Sequence, residues 1–304
     1  MILAIGEILF DIFPGYKRMG GAPFNFAFHV SNFGMPARFI TRIGNDADGK
    51  EILQELKQFG FITDNVQVDD KHNTGKVIVT LDPKGVPEFN ILPNVAYDHI
   101  AFDPSIASLL NEKTQLIYFG SLIQRSECGF TTVQKILSKR HRNTRCLYDV
   151  NLRPQCFTKA IVMESLKQTN VLKLNDEELE IIKQMFGFEK KSRKFIEFLM
   201  IKFDIEMISL TKGEKGSCLY IKDGEYCIEP NKIRKIVDTV GAGDAYTAIL
   251  AIGYLNKWHP ERILTVATDF ASSICENEGA VPSSRRVYER IITLNKIVIN
   301  EYLA

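Results

Sequence analysis

The sequence predicts a layered α/β fold with a mainly parallel central sheet covered by helices. Short apolar runs alternate with amphipathic segments, and strands that alternate with helices imply parallel pairing. The run LIYFG at 116–120 is apolar throughout, which is typical of a strand covered on both faces. The predicted strands are 1–8, 37–43, 116–121, 145–151, 170–175 and 206–211, and the predicted helices are 23–34, 47–60, 129–141, 160–168, 176–186, 191–203, 243–257 and 260–277.

One region departs from this alternation. Between residues 74 and 92, TGKVIVTLDPKGVPEFNIL reads as two strands joined by a turn at Asp82-Pro83-Lys84-Gly85. Because no helix separates the strands, we expect a hairpin beside the main sheet. Such an insert either covers a site as a lid or only extends an edge, and we favour the lid. No flexible linker interrupts the chain, so we predict one domain over residues 1–304.

Composition excludes several classes of protein. The 38 basic and 37 acidic residues leave a net charge of +1, whereas nucleic-acid-binding domains usually carry a concentrated basic excess. No run approaches the ~20 apolar residues that span a bilayer. The six cysteines contain no CxxC pair, which argues against a zinc site or a disulfide framework and fits a reducing compartment. We therefore expect a cytoplasmic protein with no nucleic-acid or membrane partner.

The segment DTVGAGDAY, residues 238–246, carries the clearest chemical signal. Gly241, Ala242 and Gly243 stand at the start of a predicted helix, where free amides and the helix dipole suit an anion. Their small side chains let a phosphoryl group approach the backbone. Asp244 then lies where a carboxylate can accept the proton of an attacking hydroxyl. The alternative is that Asp244 only caps the helix.

Several motifs resemble those of the ribokinase-like, or PfkB-type, carbohydrate kinases. DTVGAGDAY resembles the C-terminal signature of that family, and GGAPFNFAFHVSNFG at 20–34 with RIGNDADG at 42–49 resembles the N-terminal one. The resemblance covers essentially the whole chain, and the intervening and following matches are DVNLRP (149–154), KLNDEE (173–178), TKGEKG (211–216) and EGAVPS (278–283). It implies a ribokinase-like fold and a kinase that uses ATP and Mg²⁺ to phosphorylate a sugar.

The resemblance also implies roles for individual residues. Asp244 would be the general base, and Gly241, Ala242 and Gly243 would form the anion hole for the transferred phosphoryl group. The residues implied to contact the sugar are Asp11, Gly20, Gly21 and Asn25. Those implied to lie along the nucleotide are Asn175, Thr211, Lys212, Gly213 and Gly216, together with Gly241 and Gly243.

Two cation sites follow from the same resemblance. Asn175 and Glu178, from the N-x-x-E pattern, would organise Mg²⁺ through bound water. The residues that resemble loops holding a K⁺ ion through oxygens are Asp238, Val240, Gly279 and Ser283.

The chemistry of these residues suits the roles independently of the resemblance, although simpler interpretations stay open. Phosphoryl transfer mainly needs positioning and neutralisation of charge, which glycine amides and a metal ion can supply. Arg153 and Lys212 add positive charge suited to phosphate oxygens, and Arg153 is a further candidate for substrate contact. Either one could instead be a solvated surface cation. Asn175 could simply cap the next helix, and Gly20 and Gly21 could serve only a tight turn.

The predicted acceptor is fructose, phosphorylated on its 6-hydroxyl. GEILFD (6–11) followed by GGAPFN (20–25) is most similar to the fructokinases. The alternatives are a 2-keto-3-deoxygluconate kinase, a ribokinase, a nucleoside kinase or a sugar sensor without catalysis. An acidic substrate would need a dedicated cation, which Arg38 or Arg42 could provide. Exposed edges of the lid could also pair two copies into a homodimer.

Overall fold

The computed structural model describes residues 1–81, 87–229 and 236–297. Its strands are β1 (Ile2–Ile5), β2 (Leu9–Phe13), β3 (Tyr16–Gly20), β4 (Ala37–Gly44), β5 (Val66–Asp69), β6 (Gly75–Leu81), β7 (Pro87–Ile91), β8 (Leu116–Gly120), β9 (Arg145–Asp149), β10 (Val171–Asn175), β11 (Met207–Thr211), β12 (Ser217–Ile221) and β13 (Gly224–Ile228). Its α-helices are α1 (Ala22–Asn32), α2 (Ala47–Gln58), α3 (Pro104–Leu109), α4 (Glu127–Lys139), α5 (Lys159–Lys167), α6 (Asp176–Met185), α7 (Ser192–Phe203), α8 (Ala242–Leu255), α9 (Pro260–Cys275) and α10 (Arg286–Asn295).

The main sheet confirms the predicted α/β architecture. Among the described residues, nine strands lie in the order β13-β12-β11-β10-β9-β8-β1-β4-β5. The pairs from β11 across to β5 are parallel, and β12 and β13 extend one edge in antiparallel fashion. The carboxyl ends of the parallel strands therefore meet along one edge of the sheet, where α/β proteins commonly bind ligands.

Helices cover both faces of the sheet because the central strands are apolar on both sides. All five residues of β8 are buried, as the run LIYFG predicts. On one face, Phe26 of α1 stacks on Tyr118 with ring centroids 3.9 Å apart. On the other face, Phe119 stacks on Tyr148 at 5.0 Å. The first of these layers belongs to the apolar cluster that holds both α1 and α8 against the sheet, which fixes the helices that carry the two signatures.

A smaller sheet of four strands, in the order β3-β2-β6-β7, contains the predicted hairpin. β6 and β7 pair antiparallel with Val77 opposite Ile91, which confirms the two strands of the 74–92 segment. The predicted turn at residues 82–85 lies outside the described residues. β2 pairs parallel with β6 and antiparallel with β3, so this sheet is assembled from two separate stretches of chain.

The N-terminal prediction was wrong in one respect. The expected strand 1–8 ends at Ile5, and the chain then enters the smaller sheet as the hairpin β2–β3. The apolar run MILAIGEILFDIF hides this break, because both halves are buried although they belong to different sheets. The other described elements that the sequence reading did not propose are β5, β12, β13, α3 and α10.

The cysteines also depart from the expectation of reduced thiols. Cys218 of β12 and Cys227 of β13 face each other across the antiparallel pair and form a disulfide. Their spacing gave no signal because the hairpin that brings them together was not recognised in the sequence. No helix in the described ranges is both long and apolar enough to cross a membrane.

Candidate active site

The two signatures meet in a buried hydrogen bond. Asn25 Nδ2, on α1, donates to Asp244 Oδ2, on α8, at 2.8 Å, although the two residues are 219 positions apart in sequence. Asn25 is 4 % exposed and Asp244 is 9 % exposed. The side-chain oxygen of Asn25, Oδ1, is buried without a hydrogen-bond partner among the described residues. A polar ligand beside Asp244 would therefore find an acceptor there.

The N-terminus of α8 has the form expected of an anion hole. Gly241 is the N-cap, with φ at 80°, and a Cβ on it would lie 2.2 Å from Cβ of Ala280. Only glycine suits this left-handed and crowded position. Ala242 and Gly243 open the helix, so Asp244 lies within its first turn and is not the N-cap. The structure thus rejects capping as the reason for Asp244.

Asp244 has the electrostatics of a base poised near neutral pH. Burial raises the pKa of its carboxyl to about 7, since the charged form is poorly solvated there. The hydrogen bond from Asn25 opposes this rise, and the charge of Asp149 adds to it. A carboxyl group with a pKa near the working pH is well matched to accepting a proton during catalysis.

A buried ion pair lies beneath the start of α8. Lys173, the middle residue of β10, has its Nζ 3.1 Å from Oδ1 of Asp149 on β9, and the two residues are register partners in the sheet. Burial opposes the charge of Lys173, but the nearby carboxylates of Asp149 and Glu178 outweigh it and raise the pKa of the ammonium group. Thr247 Oγ1 lies 3.0 Å from Asp149 Oδ2, which ties the pair to α8.

The other predicted sugar-contacting residues lie on β2, at the end of β3 and at the start of α1. Asp11 is on β2, and burial raises the pKa of its carboxyl to about 6, with Arg153 opposing the rise. Gly20 ends β3 opposite Leu9. Gly21 is the N-cap of α1 with φ at 115°, and a Cβ on it would lie 2.5 Å from the carbonyl oxygen of Glu7.

Glu7 itself is a site residue that the sequence reading did not single out. Its side chain is buried, and Oε2 has no hydrogen-bond partner in the described part of the chain. Burial raises the pKa of this carboxyl to about 7, and the charge of Asp244 adds to the rise while Arg153 opposes it. Arg153 is exposed, yet its charge acts on the carboxyls of Glu7, Asp11 and Asp244. These groups therefore share one electrostatic environment.

Asn175 and Glu178 form a reciprocal cap at the start of α6. Asn175 Oδ1 accepts from the amide of Glu178, and Glu178 Oε2 accepts from the amide of Asn175, each at 2.8 Å. Glu178 Oε1 accepts from the amide of Leu152 at 2.9 Å. The capping alternative for Asn175 is confirmed. It leaves both side chains at the carboxyl edge of the sheet, next to Thr211, the register partner of Asn175.

The TKGEKG motif forms a short turn at the end of β11. Gly213–Lys215 is a single 3₁₀ turn, closed by a hydrogen bond from the amide of Lys212 to the carbonyl of Gly216 at 2.8 Å. Lys212 Nζ lies 3.3 Å from Cys218 Sγ of the disulfide. Thr211 ends β11 beside Asn175, and the turn follows directly. The predicted nucleotide residues of these two motifs therefore lie at neighbouring strand ends.

The predicted K⁺ loops are joined by the side chain of Asp238. Its Oδ1 accepts from the amide of Val240 at 3.0 Å, and its Oδ2 accepts from the amide of Gly279 at 3.1 Å. Arg18 Nη1, from β3, also donates to Oδ2 at 3.2 Å. Ser283 is exposed and makes no side-chain hydrogen bond within the described ranges. The structure thus brings together Asp238, Val240 and Gly279. The sequence did not predict the contact of Arg18 with Asp238.

The residues missed from the sequence were Glu7, Arg18, Asp149 and Lys173. Three of them belong to motifs that were recognised, GEILFD, DVNLRP and KLNDEE, so their positions were visible although their partners were not. Arg18 had no such signal, because its contact with Asp238 spans 220 positions.

The fold and this site define a kinase of the ribokinase type: a mostly parallel sheet, helix amides that can hold a phosphoryl group, and a buried carboxylate beside them. The model of the pfkB family of carbohydrate kinases matches residues 15–286, and the chain belongs to that family. It is a sugar phosphotransferase by class.

The names of the similar proteins agree on a kinase but differ in the acceptor. An uncharacterized sugar kinase of Pyrococcus horikoshii is 30 % identical over 273 residues, covering 84 % of this chain and 83 % of its own. Fructokinase-2 of Oryza sativa subsp. japonica is 26 % identical over 309 residues, covering 93 % and 90 %. The solved nucleoside kinase of Methanocaldococcus jannaschii superposes with a TM-score of 0.76 at 22 % identity, covering 96 % and 98 %.

Proposed function

We propose that this protein transfers the γ-phosphoryl group of ATP to the 6-hydroxyl of fructose. The observation that carries the proposal is the buried contact between Asn25 and Asp244, because it places the N-terminal sugar motif against the proposed base. The similarity to rice fructokinase-2 supports fructose as the acceptor.

In the proposed reaction, Asp244 accepts the proton of the attacking hydroxyl as the oxygen bonds to phosphorus. Asn25 holds the carboxylate through Nδ2 and leaves Oδ1 to accept from another sugar hydroxyl. The amide of Gly243 faces the phosphoryl group and stabilises the charge on its oxygens. The amide of Ala242 donates to the carbonyl oxygen of Thr239 at 3.3 Å, and we propose that it turns to the phosphoryl group when ATP binds. Asp11 and Glu7 supply acceptors for the remaining hydroxyls.

The residues of the N-x-x-E motif fit a magnesium ion held through water. Each carboxylate oxygen of Glu178 accepts one backbone amide, which fixes its position. A second lone pair on each oxygen is left for bound water. Asn175 is fixed in the same way by the amide of Glu178. When bound with ATP, Mg²⁺ would neutralise charge on the phosphates.

The charge of the pocket favours a neutral sugar over an acidic one. Three carboxyl groups, those of Glu7, Asp11 and Asp244, lie in it. Of the cations that act on them, Arg18, Arg125 and Lys173 are already paired with other carboxylates, which leaves Arg153. The arginines considered for an acidic substrate are placed elsewhere, since Arg42 Nε pairs with Asp69 Oδ2 at 2.8 Å. Arg38 is paired with Leu3, near the opposite end of the strands from the site.

We also propose that residues 1–304 work as one kinase domain with the smaller sheet as its lid. This sheet presents Asp11 to the pocket, and Arg18 of β3 reaches Asp238 in the loop before the anion hole. Closure over sugar would exclude water and limit wasteful hydrolysis of ATP. Among the described strands, β3 and β7 are its edges, and a second copy could pair there to give a homodimer.

A K⁺ ion is proposed near Asp238, Val240, Gly279 and Ser283. Three donors already satisfy the carboxylate of Asp238, and one of them is the guanidinium of Arg18. An ion would therefore add mainly to contacts with carbonyl and hydroxyl oxygens, and its effect on turnover is expected to be small.

The test is a substrate panel with ATP and Mg²⁺, scored by ADP release and by mass spectrometry of the product. The acceptors are fructose, ribose, 2-keto-3-deoxygluconate, fructose 6-phosphate and adenosine. We expect the highest kcat/KM with fructose, and a product that NMR identifies as the 6-phosphate. A higher kcat/KM with another acceptor would overturn fructose specificity. No turnover with any of them would favour a sensor.

A further inference from the structure

Lys173 lies closer to the start of α8 than its place on β10 suggests. Its side chain is buried at 9 % exposure, and Nζ lies 3.4 Å from where a Cβ on Gly243 would be. Gly243 is the second residue of α8 and supplies one of the amides proposed to hold the phosphoryl group. The ammonium group thus flanks the anion hole on the side of the sheet.

A network of buried polar groups fixes this ammonium group. Asp149 Oδ1 lies 3.1 Å from Lys173 Nζ, and Asp149 is fully buried. Asp149 Oδ2 lies 3.0 Å from Thr247 Oγ1, which in turn lies 2.8 Å from the carbonyl oxygen of Gly243. The same four groups therefore connect β9 and β10 to the first turn of α8.

We propose that Lys173 binds the γ-phosphoryl group of ATP, and that Asp149 and Thr247 position its ammonium group for this contact. Asp149 uses one of the three N–H donors of the ammonium group, and the network leaves the others to a phosphate oxygen at the anion hole. This inference rests on the proposed kinase function, but it does not depend on which sugar is the acceptor.

A buried pair can also be purely structural, and the two roles have different consequences. A structural pair holds β9 and β10 together, so its loss would weaken the fold and affect all nucleotides alike. A phosphate contact discriminates between nucleotides that carry a γ-phosphate and those that lack one. The affinity difference between the two kinds of nucleotide therefore separates the roles.

The experiment measures binding of the β,γ-imido analogue of ATP and of ADP by calorimetry, with Mg²⁺ and without sugar. In Lys173→Met, the affinity for the analogue should fall about 10- to 100-fold, the size expected for one hydrogen bond to a charged group. The affinity for ADP should change less than threefold. Lys183→Met, which removes a lysine paired with Glu180 on the surface of α6, is the matched control and should bind both nucleotides like the parent.

A second variant separates loss of the phosphate contact from loss of the fold. Lys173→Met leaves Asp149 buried without its cation, whereas Lys173→Met with Asp149→Asn removes both charges. The double variant should show the same selective loss of the γ-phosphate contact. Equal losses for the two nucleotides, or no loss for the analogue in either variant, would overturn the proposal. A parent that binds both nucleotides but phosphorylates no sugar would instead contradict the proposed function and leave this result standing.

Discussion

The start of α8 and the smaller sheet both border the candidate sugar site, yet they are built differently. Asp244 and Asn25 are buried between two helices that pack on the main sheet. The smaller sheet is more open, and Tyr16 and Phe89 are 52 % and 56 % exposed. Chemical steps need fixed geometry, whereas admission of a substrate needs movement. We therefore assign the chemistry to the helix and the selection of sugar to the smaller sheet.

The sharpest test of this division is Asp244→Asn. The amide keeps the size of the side chain and can still accept from Asn25, so the fold should be retained. It cannot take up a proton, and loss of a general base typically lowers the rate about 10²–10⁴-fold. We expect this loss in kcat, measured by ADP release, with little change in the KM for fructose.

The control for this variant is Glu261→Gln, which neutralises an exposed carboxylate in the first turn of α9. It should match the parent in kcat and in melting temperature. If Asp244→Asn melts like the parent and keeps most of its kcat, the proposed base is wrong.

The pH profile separates Asp244 from its neighbour Glu7. Burial raises the pKa of both carboxyls to about 7, and a base works only when it is deprotonated. We therefore expect kcat/KM for fructose to fall about tenfold for each pH unit below about 7. Glu7→Gln should keep this acidic limb, with its midpoint at lower pH, because the repulsion by Asp244 that adds to the high pKa of Glu7 acts equally on Asp244. A profile that is flat from pH 5 to 8 would contradict the assignment.

Asp11→Asn tests the smaller sheet as the region that binds sugar. The amide keeps the shape of the side chain but loses the charged acceptor, and a hydrogen bond to a charged group contributes about 1.5–3 kcal/mol. We expect the KM for fructose to rise about tenfold or more while kcat changes less than threefold. A fall in kcat with an unchanged KM would place Asp11 in the chemical step and break the division drawn here.

Movement of the smaller sheet should be visible in hydrogen exchange. If it closes over the pocket, saturating fructose should slow the exchange of amides in β6 and β7 by several-fold. Helix α7 packs against β11, four strands away from β1 in the main sheet, and serves as the internal reference. Equal exchange in β6 with and without sugar would argue against a lid.

The sequence predicted the main sheet well because its signals are local. Helical periodicity and apolar runs identified β8 and α8 to within one or two residues, and the glycines at 241 and 243 reported the bare helix start directly. The pairing of Lys173 with Asp149 could not be read in this way. It depends on the register of β9 with β10, which no single stretch of sequence specifies.

The smaller sheet was predicted only in part for the same reason. β6 and β7 are adjacent in sequence, so their hairpin was recognisable. β2 joins them from more than sixty residues away, through a parallel pairing of Leu9 with Gly75. Arg18 reaches Asp238 only because that pairing places β3 above the loop. The residues proposed to contact the sugar lie on elements that such distant contacts bring together, which is why the acceptor is less predictable than the reaction.

The smallest expected effect joins the two regions, at Asp238. A monovalent cation near Val240 and Gly279 would hold the loop that leads into the anion hole, and Arg18 already performs part of this task from the smaller sheet. At matched ionic strength, we expect K⁺ to raise kcat about two- to threefold over Na⁺, because the remaining contacts are with neutral oxygens and weak in water. In Arg18→Met, which removes one of the two donors to Oδ2 of Asp238, the ratio of the rates in K⁺ and Na⁺ should increase. Lys17→Met, beside it on β3, removes a cation that pairs with Asp48 and Glu51 instead, and should leave that ratio unchanged. Equal rates in the two salts for the parent and for Arg18→Met would exclude a monovalent cation from this loop and leave Arg18 as the charge that stabilises it.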